Sequence, residues 1–138
     1  MRWAILDTSV YIGHWEHAGR YDDLLLDVQR AFIVCHSAVV LSELRRGARS
    51  REQQRIVEQL HGTAQAIWEP SAEDWWEAGK LVREVGDRAD WETSKRREFQ
   101  NDALIALTAR KHGATVVTAN REDFSLLRSG LKIAVIYA

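Results

Sequence analysis

The chain has 138 residues, 46% of them hydrophobic, and a net charge of −1. That length suits one domain over residues 1–138 with a substantial core. It excludes a broadly cationic binder, and no apolar run approaches the ~20 residues of a membrane span. The lone cysteine, Cys35, excludes an intramolecular disulfide. The opening apolar run stops at Asp7, too soon for a signal peptide, so a cytoplasmic protein with no membrane association is expected.

Residues 3–6 read as a short buried strand, and Thr8 to Gly13 as a helical turn. Tyr21 to Ala31 reads as a helix with Leu24, Leu25 and Val28 on one side, followed by a strand at Phe32 to Cys35. Ser37 can cap a helix running to about Gly47. Arg51 to Leu60 predicts a further helix, and Ala66 to Trp68 a weak strand. Pro70-Ser71 opens a helix from Ala72 to Val85, which Gly86 is expected to stop. Residues 87–96 are polar apart from Ala89 and Trp91 and predict a loop or mobile connection. A long helix from about Lys95 to Lys111 follows, then a β-branched strand at Thr115 to Thr118. A short helix at Arg121 to Leu127 and a strand at Lys132 to Ile136 complete the chain. Strands alternating with helices imply an α/β fold with a mainly parallel sheet, whose ligands bind at the carboxyl ends of the strands.

Four acidic residues stand at strand ends or beside apolar positions: Asp7, Glu43, Asp102 and Asp123. Burying a lone carboxylate is costly unless it gains a partner. Asp7 follows the first strand, where it also reads as an N-cap. Glu43 shares a helix face with Val39 and Val40, and an ion pair with Arg45 or Arg46 would also account for it. Asp102 lies in an apolar stripe of Phe99, Ile105, Ala106 and Ala109, unless the helix starts late and Asp102 caps it. Asp123 follows the strand at Thr115 to Thr118, with Asn120 a candidate cap for its turn. Taken together, converging carboxylates repel unless a cation intervenes, and oxygen-only ligands favour Mg²⁺ or Mn²⁺.

Four segments then resemble those of a known family. Leu6-Asp7-Thr8-Ser9-Val10-Tyr11-Ile12, Ser42-Glu43-Leu44-Arg45-Arg46-Gly47, Asn101-Asp102-Ala103-Leu104-Ile105-Ala106 and Thr118-Ala119-Asn120-Arg121-Glu122-Asp123-Phe124 resemble, in order, the acidic motifs of PIN domains. Small members of this kind resemble VapC toxins of toxin–antitoxin pairs. The resemblance implies a three-layer α/β/α sandwich, Mg²⁺- or Mn²⁺-dependent endoribonuclease activity, a homodimer and a cognate antitoxin partner. Asp7 and Asp102 are then the principal metal ligands, with Glu43 and Asp123 binding directly or through water. Thr8, Ser9 and Asn120 support them, although local capping explains these three equally well. The segment from Arg49 to Arg97, with Trp68, Trp75, Trp76 and Trp91, matches no motif.

Basic clusters at Arg45, Arg46, Arg49, Arg51 and Arg55 and at Lys95, Arg96 and Arg97 could hold an RNA backbone away from the metal, or be solvated helix faces. Trp15 or Trp91 could stack on bases, although most tryptophans are expected in the core or a subunit interface. His14, His17, His36, His61 and His112 show no ligand spacing. A phosphoacceptor receiver domain would need paired acids after the first strand, where Asp7 stands alone. A non-catalytic module of the same fold, or a DNA nuclease, remains compatible with the acids.

Overall fold

The computed structural model describes residues 2–138 and leaves Met1 outside. Its elements are β1 (Arg2–Leu6), α1 (Thr8–Glu16), α2 (Asp22–Ala31), β2 (Phe32–Ser37), α3 (Ala38–Gly47) and α4 (Arg51–Thr63), then β3 (Ile67–Trp68), α5 (Ala72–Ala89), α6 (Thr93–His112), β4 (Thr115–Thr118), α7 (Arg121–Gly130) and β5 (Ala134–Tyr137). The strands form one sheet in the order β3-β2-β1-β4-β5. Every pairing is parallel. Parallel sheets need cover on both faces, and the pleat shows how it is divided. Ile5 and Val116 join a cluster with Val40, Leu44, Phe99, Leu104 and Phe124. Their neighbours Ala4 and Val117 join Val10 and Val28 on the other face. The architecture is the expected three-layer α/β/α sandwich.

The strand order fixes where a ligand crevice must lie. The chain steps outward from β1 to β2 and β3, then crosses back to β4 and β5. Connections from β1 and β4 therefore leave in opposite directions, opening a crevice at their carboxyl ends. Asp7 extends the ladder there, its amide donating to the Val117 carbonyl at 2.8 Å.

Local signals explain most helix starts. The Ser37 hydroxyl accepts from the Val39 and Val40 amides, and Ser71 and Asp74 form a reciprocal capping box. Two expectations between α5 and α6 are overturned. Gly86 does not stop α5, which continues to Ala89. Its missing side chain makes room instead, since a Cβ there would stand 2.8 Å from the Arg96 guanidinium. Residues 87–96 are no mobile loop either. Asp90 turns the chain at φ 53° and α6 begins at Thr93. Arg96 clamps the junction, donating to the Trp91 carbonyl and to Asp87, both at 2.9 Å. Trp91 packs edge-on against Phe99, 5.0 Å away.

Candidate active site

The four acids arrive from four elements. Asp7 stands just after β1, Glu43 in α3, Asp102 in mid-α6 and Asp123 in the first turn of α7. Because α6 starts nine residues before Asp102, that residue is no cap. Its carboxylate is carried inward by a helix whose neighbours from Ala103 to Ala109 are all buried.

Asp7 is 3% exposed and makes no side-chain capping bond. Its Oδ2 accepts from the Ser9 and Thr118 hydroxyls, each at 2.8 Å. Those hydroxyls are themselves anchored: Ser9 Oγ accepts from the Ala119 amide, and Thr118 Oγ1 from the Asn120 amide. Glu43 forms no ion pair among the described residues. Its oxygens take the Thr8 hydroxyl at 2.9 Å and the Asn101 amide at 3.3 Å, while Arg45 turns to Glu58. Asn120 caps α7 by accepting from the Asp123 amide, and its side-chain NH₂ donates to both Asp102 and Asp123. Asn120 therefore caps α7 and also bonds two of the acids.

Lys95 completes the arrangement. Its Nζ donates to both Asp123 oxygens, at 2.8 and 2.9 Å. The sequence reads the cluster at Lys95 as a hold for RNA backbone away from the metal or as a solvated helix face; Lys95 instead points into the acids. Lys95 carries no local signal of its role, and Asn101 and Thr118 carry only their places in the acidic motifs, because their partners are 28, 58 and 111 positions distant.

Electrostatics divides the acids. Burial raises the Asp7 carboxyl against the pull of its two hydroxyl donors. Glu43 is raised by burial, with Asp7's charge adding to the effect. Asp102 is pushed up to about 9 by burial, by the charges of Asp7, Asp123 and Glu43, and by a proton it shares toward Asp123. Burial also pushes Asp123 upward, but Lys95, Asn120 and the Asp102 proton outweigh it and hold it low. Among the described residues no three His, Cys, Asp or Glu side chains form a ready-made ion cage. The acids are linked by shared hydroxyl, amide and ammonium donors rather than closed around one point.

A PIN domain family model matches residues 4–128. The chain belongs to the PIN domain family. All four acidic motifs of this PIN domain lie within the matched span. Its fold is similar to solved structures across nearly their whole length. A chain of VapBC-1 from nontypeable Haemophilus influenzae is 18% identical, with 98% of this chain and 97% of that chain covered and a TM-score of 0.71. One from VapBC2 of Rickettsia felis, bound to a DNA fragment from their promoter, is 22% identical, with 99% and 98% covered and a TM-score of 0.69. VapBC-5 from Mycobacterium tuberculosis, of a family of toxin–antitoxin systems, gives 21% identity, 100% of both chains and a TM-score of 0.60. No curated protein matches significantly.

Two further features of the PIN domain bear on its surface. A cavity of about 320 Å³ opens beside Glu43 and Asn101, walled by Val39, Arg46, Pro70 and Trp75. The exposed tryptophans are Trp3, Trp75 and Trp76, the last two at 50% and 79%, rather than Trp15 and Trp91, which pack against the core. No histidine bonds any of the four acids, although His36 meets the Tyr11 hydroxyl and His112 stacks on Trp68. No helix among the described residues is long and apolar enough to cross a membrane.

Proposed function

We propose that this PIN domain is a metal-dependent endoribonuclease, the toxin of a toxin–antitoxin pair. In this reading it acts in the cytoplasm as a homodimer and is held in check by a cognate antitoxin. The observation that carries the reading is the approach of Asp7, Glu43, Asp102 and Asp123 to one another at the β1/β4 crevice, where burial raises three of them and the charges of neighbouring acids add to the rise at Glu43 and Asp102. The antitoxin rests on the neighbours, which are VapBC assemblies.

The donor chemistry fits Mg²⁺ or Mn²⁺, since every candidate ligand is a hard carboxylate oxygen and none of the raised acids has an ion-pair partner among the described residues. When bound, the ion supplies Lewis-acid polarisation of the phosphodiester and a water of lowered pKa. Asp7 and Asp102 are the principal holders, Glu43 and Asp123 the others. Ser9 and Thr118 aim Asp7, Thr8 and Asn101 aim Glu43, and Asn120 ties Asp102 to Asp123. Asp102 must lose its proton to serve. The cavity beside Glu43 gives an RNA strand a path past the Arg46 guanidinium and the Trp75 face.

The test is cleavage of single-stranded RNA and single-stranded DNA in parallel, with Mg²⁺, with Mn²⁺ and with EDTA. Metal-dependent RNA cleavage that Asp102→Asn abolishes is the expected result. Cleavage of DNA alone would move the protein to the DNA nucleases. Binding without cleavage would make it a non-catalytic module, and EDTA-resistant cleavage would overturn the metal assignment.

A further inference from the structure

Lys95 belongs to none of the acidic motifs, yet it makes the shortest ionic contact in the site. Its Nζ lies 2.9 and 2.8 Å from the two Asp123 oxygens, and Asn120 takes a further share of Oδ2 at 3.1 Å. Asp123 is only 2% exposed, and these donors occupy both of its oxygens. We infer that the Lys95 ammonium is a built-in placeholder cation, seated on the Asp123 carboxylate where an incoming dication must bind and displaced when that ion enters. This rests on the reading of the acids as a metal site.

Three features of the lysine suit a removable ion rather than a structural pair. Its side chain is 29% exposed, so a route to solvent exists. It springs from the first turn of α6 on a flexible stem and ends in a compact point charge. Its neighbour Arg96, by contrast, is pinned by Asp87 and the Trp91 carbonyl. The ammonium also lies 5.1 Å from the Trp91 ring centroid, a seat that holds it over Asp123 without enclosing it. A metal cation and an ammonium on the same two oxygens repel one another, so occupancy by one excludes the other. The metal-free protein then keeps one buried carboxylate compensated, and metal affinity is lowered by the fraction of molecules with the lysine seated.

The test is Mn²⁺ binding to the full chain, by calorimetry and by the electron paramagnetic resonance of free Mn²⁺, at fixed pH and ionic strength. The set is wild type, Lys95→Met, Lys95→Gln, Asp102→Asn and Arg121→Gln. Both Lys95 variants should bind Mn²⁺ roughly tenfold more tightly than wild type, as expected when the seated state holds about nine molecules in ten. Lys95→Met should also melt lower in EDTA and recover with Mn²⁺. Arg121→Gln removes a nearby charge that stacks on Tyr137 rather than touching the acids, and reports the general effect of losing a cation. Unchanged or weaker binding in both Lys95 variants, or a gain no larger than that of Arg121→Gln, would overturn the inference. If wild type binds Mn²⁺, Asp102→Asn does not and the Lys95 variants match wild type, the metal site stands and the placeholder falls. If no protein in the set binds Mn²⁺, both fall.

Discussion

Asp7 and Asp123 are buried almost equally, at 3% and 2% exposure, yet they are held in opposite electrostatic states. Asp7 is met by two neutral hydroxyls and its carboxyl is raised. Asp123 is met by an ammonium and an amide and its carboxyl is lowered. Burial therefore does not set the charge state here; the charge of the donor does. One half of the site is left wanting a cation, and the other already holds one.

Replacing each acid by its amide attacks that contrast most directly. Asp7→Asn and Asp123→Asn should each reduce metal-dependent cleavage by more than about 10²-fold, since even outer-shell changes cost 10–100-fold. Their stabilities in EDTA should part company. Asp7→Asn removes a buried charge that only neutral donors hold, and should raise the urea midpoint. Asp123→Asn strands the Lys95 ammonium, and should lower stability by about 1–3 kcal/mol. Equal shifts of the same sign would refute the two-state picture of the site.

Thr118→Val and Ser9→Ala sharpen the contrast from the hydroxyl side. Each removes one of the two donors that aim Asp7, so Mn²⁺ affinity should fall by about 10–100-fold. The Lys95–Asp123 contact uses neither hydroxyl, so Trp91 emission, taken as the difference from the matching Trp91→Phe protein, should stay as in wild type. Calorimetry and fluorescence on the same samples check both.

How much of this was legible in the chain depends on where each signal is stored. The four acids were readable because apolar neighbours exposed the cost of burying them; Asp102 among Phe99, Ile105, Ala106 and Ala109 is the clearest case. The strands at Thr115 to Thr118 and Phe32 to Cys35, and the cap at Ser37, were local and came out within a residue or two. The junction at residues 87–96 was misread because its charges resemble a solvated stretch, whereas Arg96 is satisfied across it by Asp87 and a backbone carbonyl. Lys95 was misread for the same reason. A lysine beside two arginines looks like a surface patch, and only the fold brings Asp123 beneath it.

The acid pair at the centre gives a pH test. Asp102 is raised to about 9, above its unfolded value of 3.8, so the metal-free folded state binds more protons than the unfolded chain between those values. Its contribution to stability is therefore complete below about pH 4 and declines as pH rises toward 9. Asp123, lowered, contributes in the opposite sense: its stabilisation is present above the unfolded value and is lost in acid. Asp102→Asn should flatten the alkaline decline and, in EDTA at pH 8, exceed wild type by about 1–2 kcal/mol. Melting curves from pH 5 to 9 in EDTA decide it, and a variant that declines as steeply as wild type would sink the assignment.

The smallest expected effect separates two glycines of α5 and reaches the Asp123 half through its support. Gly79 has open space where a Cβ would go. Gly79→Ala should therefore stabilise the protein by about 0.5–1 kcal/mol through helix propensity alone. At Gly86 the same methyl meets Arg96 at 2.8–2.9 Å, so the guanidinium must retreat from the Trp91 carbonyl and from Asp87. Losing those bonds cancels the propensity gain, and Gly86→Ala should be destabilised by about 0.5 kcal/mol. Because Arg96 also fixes the turn that carries Trp91 under Lys95, Gly86→Ala should shift Trp91 emission while Gly79→Ala should not. Two identical substitutions in one helix with opposite signs in urea melts would show that the junction, and not helix propensity, holds the ammonium over Asp123.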